Sequence, residues 1–147
     1  MEKHFNLKRY KELLELEKNG KISSLSLELL DYQVSIERQI SYNQKNNYFL
    51  LISQYLNEII SPVTFRIKFL EIEREACKQA SKIFEDFQRL ENFTISDDLE
   101  EFSILISEIS TLCVEYDISW NETSKNITEE EFYHSVNSKY LKFQEVI

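Results

Sequence analysis

The 147 residues suffice for one domain with a real core, and a single Gly and a single Pro exclude a turn-rich β fold in favour of long helices with short polar links. With 42% hydrophobic and 29% charged residues, the composition is that of a folded chain and excludes wholesale disorder. Twelve of its 26 acidic residues lie between Glu91 and Glu131 with Lys125 as the one base among them, so nearly all of the net charge of -9 sits in one stretch. That excess repels nucleic acid and acidic membranes and favours a basic partner.

A first helix is predicted over residues 7–18, stopped by Asn19-Gly20, where Gly can take the left-handed C′ conformation. The second is predicted over 24–44. Ile22-Ser23-Ser24-Leu25-Ser26-Leu27 fits the pattern I-[ST]-x-x-x-[LF], with Ser23 as N-cap and Ile22 and Leu27 as a hydrophobic staple. Leu25, Leu29, Tyr32, Ile36 and Ile40 then share one face. Polar residues 43–47 break the chain before a third helix over 48–58, which carries Phe49, Ile52, Leu56 and Ile59.

The same start recurs at Ile60-Ser61-Pro62-Val63-Thr64-Phe65, with Pro62 at N1 where its missing N–H costs nothing. It opens a fourth helix over 62–90, with Phe65, Phe69, Ile72, Ala76, Ala80, Ile83, Phe87 and Leu90 at steps of three and four. The acids of this helix interleave with bases: Glu75 with Lys78, Lys82 with Asp86, Glu85 with Arg89. A fifth helix over 97–116 repeats Leu99, Phe102, Ile106, Ile109, Cys113 and Tyr116, and a polar loop over 117–126 has Trp120 as its apolar anchor. Ile127-Thr128-Glu129-Glu130-Glu131-Phe132 opens a sixth over 129–145, with Thr128 and Glu131 as a capping box and Phe132, Val136, Tyr140 and Phe143 inward. The expected architecture is all-α: an N-terminal αα-hairpin over 1–46 and a helical bundle of the antiparallel four-helix type over 47–147.

Catalytic chemistry has little to work with. Two histidines, no Gly-rich phosphate loop and no evident Cys–His or Ser–His–Asp pairing point to a non-enzyme without a cofactor. Cys77 and Cys113 read as reduced, buried small hydrophobes. Glu131-Phe132-Tyr133-His134 is an E-x-x-H, but di-iron bundles need that motif twice, and Glu131 already serves as a cap, so no metal is expected. Residues 1–10 (MEKHFNLKRY) lack the apolar run of a signal peptide, and the longest apolar run, residues 48–52, is too short to cross a bilayer. The expected compartment is the cytoplasm, or an organelle stroma if the AT-rich composition reflects organellar coding.

The candidate site is the acidic segment. First-turn carboxylates such as Asp98, Glu100, Glu129 and Glu130 answer the helix dipole. Asp97 and Glu101 share that first turn, but the dipole does not account for the rest of the helix: Asp97, Glu101, Glu108 and Glu115 fall on one stripe opposite the core face of a helix without Lys or Arg, with Ile104 pointing out through its middle. Asp117 and Glu122 extend the acidic face into the following loop. A one-sign stripe around an exposed aliphatic fits a docking face for a basic protein, and equally a solvated surface.

Residues 54–74 (QYLNEIISPVTFRIKFLEIER) followed by residues 100–144 resemble the colicin D-type immunity proteins. The shared features are a short helix, the I-[ST]-x-x-x-F start, an aliphatic helix carrying E-R, an acidic-aromatic helix ending at Glu115-Tyr116-Asp117, a polar loop and a final amphipathic helix. The resemblance covers about the last hundred residues. It implies a four-helix bundle that inhibits a tRNA-cleaving toxin by filling the basic nuclease cleft with acidic side chains that stand in for RNA phosphates. The matching motif is structural and carries over no individual interface residue. The rival expectation is a helical assembly adaptor without a toxin partner, working through apolar faces of the N-terminal hairpin.

Overall fold

The computed structural model describes residues 3–116 and 127–146. In chain order they form β1 (Lys3–His4), α1 (Leu7–Lys18), α2 (Leu27–Tyr42), α3 (Lys45–Leu56), α4 (Pro62–Ile83), α5 (Phe87–Leu90), β2 (Thr94–Ile95), α6 (Leu99–Glu115) and α7 (Glu129–Val146). The protein is all-α apart from one small antiparallel ladder, in which Lys3 faces Ile95 and His4 faces Thr94.

Two of the three expected staple starts form as written. Ser61 is the N-cap of α4: its hydroxyl accepts from the Thr64 N–H at 3.1 Å, with Pro62 in the first turn and Phe65 fully buried. At α7 the capping box closes both ways, Thr128 Oγ1 accepting from the Glu131 N–H at 3.1 Å and the Glu131 carboxylate from the Thr128 N–H at 3.2 Å. The start at Ser23 is corrected. There the hydroxyl accepts from the Leu25 N–H, the Ser26 N–H reaches the Ser23 carbonyl, and α2 begins three residues late with Ser26 as N-cap. Ser23 therefore closes a local turn instead of a helix, leaving Leu25 74% and Leu27 80% exposed.

Helix ends differ from expectation for local reasons. α1 spans the expected residues and ends in a Schellman motif, with Gly20 at φ 70, its N–H on the Glu17 carbonyl and the Lys21 N–H on that of Leu16. α3 ends in the same motif, with Glu58 in the glycine position at φ 59, and this turns Ile59 out to solvent. The polar break before α3 shrinks to Asn43 and Gln44. The expected helix over 62–90 is interrupted after Ile83: Tyr10 donates its hydroxyl to the Phe84 carbonyl at 2.7 Å, and Asp86 caps a new turn by accepting from the Arg89 N–H. The break rotates Phe87 outward, under the Lys11 ammonium, and Asp86 pairs with Arg89 instead of Lys82.

Two cores result. The first gathers α3, α4, α6 and α7 around Tyr48, Tyr55, Phe65, Phe69, Phe102 and Phe132, with Tyr55 stacked on Phe65 and Tyr116 on Phe132 at 4.6 Å. The second joins α1, α2 and α5 to the far half of α4 through Tyr10, Leu29, Ile36, Ala76, Ala80 and Leu90. The boundary expected between residues 46 and 47 falls within α3. Arg9 ties α1 to α2 by a two-pronged pair with Glu28, at 2.8 and 2.7 Å. Buried Gln39 ties α2 to the approach to α6, accepting from the Ser96 N–H at 2.8 Å and donating to Ser96 Oγ and Asn43. Of the two reduced cysteines Cys113 is buried as expected, its thiol pushed up to about 12 by desolvation; Cys77 is exposed, one position past the inward Ala76. No helix of the described residues is long and apolar enough to cross a membrane.

Candidate functional site

α6 begins after Asp98, whose carboxylate accepts from the Tyr42 hydroxyl at 3.0 Å and anchors the helix start to α2. Leu99, Phe102, Leu105, Ile106, Ile109 and Cys113 are all buried, so the helical phase read from the sequence holds. It leaves Glu101 and Glu115 exposed on the opposite side with Ile104, which is 51% exposed, and Asp97 exposed just before the helix. Asp117 and Glu122 lie outside the described residues, as does Trp120.

The fourth member of the stripe differs. Glu108 pairs with Lys139 of α7 at 3.3 Å, each side chain being more than a third exposed. α7 lies along α6 and seats Lys139 and Lys142 beside the acids, bordering a groove of about 230 Å³ with Glu101, Ile104 and Phe143. The stripe is therefore acidic along its outer line and mixed along the line that meets α7. These lysines escape a reading of α6 taken alone. The inward Val136 and Phe143 place Lys139 at the edge of the α7 core face, but only the adjacency of the two helices brings it to Glu108.

At the head of α7 the Glu131 carboxylate is engaged in the capping box, and His134 Nε2 stands 3.7 Å from Glu130 instead. Among the described residues no three His, Cys, Asp or Glu side chains gather as metal ligands. A polar groove of about 270 Å³ between α2 and α6 was not legible in the sequence: Ser41, Ser103, Ser107 and Ser110 line it beside Glu73 of α4. Desolvation raises the Glu73 carboxyl above the ordinary carboxylate range, opposed by a hydrogen bond with Ser110. The only sequence signal was the serine spacing on α6, and periodicity alone cannot tell a groove from a solvated face. No family model, no curated protein and no solved structure matches this chain.

Proposed function

We propose that this chain is a non-enzymatic binding module, an immunity-type inhibitor that masks the basic active site of a tRNA-cleaving nuclease with the outer face of α6. The observation that carries this reading is exposed Ile104 set among Glu101, Glu108 and Asp97, an aliphatic centre with an acidic surround. Carboxylates at such a rim steer a basic surface in and set its register, while the desolvated aliphatic centre slows its release. Lys139 already holds Glu108, so the steering falls chiefly to the outer carboxylates. A second reading, a helical adaptor, is favoured by one observation: Leu25 in the α1–α2 connection and Leu27 at the first position of α2 are both exposed.

The test begins with the neighbouring reading frame: a nuclease domain encoded there supports this reading and is assayed for inhibition in tRNA cleavage, and its absence favours the adaptor. Stoichiometric protein should block cleavage, with affinity falling as salt rises. Reversing Glu101 and Glu115 to Lys should abolish the block, and Ile104→Ala should speed dissociation. A salt-insensitive complex that survives both changes and fails with Leu25→Ser and Leu27→Ser belongs to the adaptor reading.

A further inference from the structure

The groove of about 230 Å³ between α6 and α7 has walls of opposite sign. Glu101 and Glu108 stand on the α6 wall, Lys139 and Lys142 on the α7 wall. Leu105 and Phe143, otherwise buried in the first core, close its floor, and half-exposed Ile104 forms an apolar rim. Two acids and two bases cancel, so the groove, unlike the outer line of α6, carries no net pull on a cation.

These charges are not engaged alike. Glu108 and Lys139 neutralise each other at 3.3 Å across the groove. Glu101 and Lys142 line the same groove from opposite walls, both are exposed, and neither has an ion pair among the described residues. An apolar surface thus lies between one unpaired carboxylate and one unpaired ammonium. A uniformly basic partner satisfies only the first and sets like charge against Lys142, which disfavours it. A phosphate satisfies only the second and is repelled by Glu101.

We propose that this groove takes a single apolar side chain of the partner protein, bracketed on the partner by a basic residue that reaches Glu101 and an acidic residue that reaches Lys142. This rests on the reading of the outer α6 face as a binding surface, and adds to it the anchor and the acid. The volume admits one side chain of leucine size and not a whole helix. Such an anchor, desolvated beside Ile104, slows release, while the two flanking charges fix which way round the partner sits.

Titration of the ¹⁵N-labelled full chain, at about 150 mM salt to screen its net charge, tests this with capped pentapeptides. In an extended chain alternate residues share one face, so Lys-Ala-Leu-Ala-Glu, or its reverse, presents base, anchor and acid together. The tighter of these two mixed peptides should give saturable amide shifts over residues 101–108 and 139–143. Replacing its Glu by Lys should weaken binding about threefold, and replacing its Leu by Ala about fivefold. Lys142→Ala should erase the preference for the mixed over the doubly basic peptide, and Glu101→Gln should weaken both about threefold. Unchanged melting of these two surface variants is the folding control. A doubly basic peptide that matches the mixed one at residues 101–108, or a preference that survives Lys142→Ala, would overturn the bracketed anchor and leave the acidic face standing. Equal binding of the Ala-centred peptide would overturn the anchor itself. No saturable shift at residues 101–108 with any peptide would count against the face as a binding surface, and against this inference with it.

Discussion

Single side chains in this molecule differ in what they hold. Phe132 is fully buried, stacked on Tyr116 and packed near Tyr55 and Phe65, so Phe132→Ala should cost about 3–5 kcal/mol. Ser61→Ala removes one capping hydrogen bond and should cost about 1 kcal/mol. Urea melts of the two variants measure the ratio directly. Glu73 acts through pH. Its folded pKa is raised, so the folded state binds the proton more tightly than the unfolded chain does. Its contribution is fully present below the unfolded value and is lost as pH rises through the raised folded value. Glu73→Gln should therefore raise the melting temperature at about pH 8 and change it little at about pH 3, below the ordinary carboxylate range, where the wild-type group is protonated in both states. A gain of the same size at both pH values would contradict this account.

Helix boundaries were legible where several local devices agreed and misleading where only one did. At Ser61 a cap, a proline and a staple coincide, and at Thr128 a capping box and a staple do; both starts stand. At Ser23 the hydroxyl had nothing beside it but a staple pattern, and a turn captured it. The break after α4 shows a signal that is tertiary: the 3.6-residue pattern runs on from Ile83 to Leu90, but Tyr10, 74 positions earlier, donates to the Phe84 carbonyl and stabilises the interruption. Asp86 then restarts the helix, so Asp86→Ala should lose about 1 kcal/mol of stability and the protection of the α5 amides in hydrogen exchange. The candidate site divides in the same way. Periodicity within α6 sufficed for the outward placement of Glu101 and Ile104, whereas Lys139, Gln39 and Glu73 owe their roles to helices that meet only in the fold.

Across the whole molecule exposed carboxylates gather in two places: the outer line of α6, tempered by Lys139 and Lys142 of α7, and the junction of α3 with the head of α7, where Glu58, Glu129 and Glu130 stand with His134. Both expose carboxylates around apolar side chains. α4 has a further consequence. Its first half lays Phe65 and Phe69 into one core, and its second half lays Ala76 and Ala80 into the other. A rigid 22-residue rod shared in this way makes melting cooperative, because neither core can open without stripping one end of the rod. Calorimetry should give one transition with equal calorimetric and van't Hoff enthalpies. A fragment starting at Lys45 should keep the aromatic cluster yet show rapid amide exchange over about residues 74–90, where the far half of the rod and α5 have lost their second support.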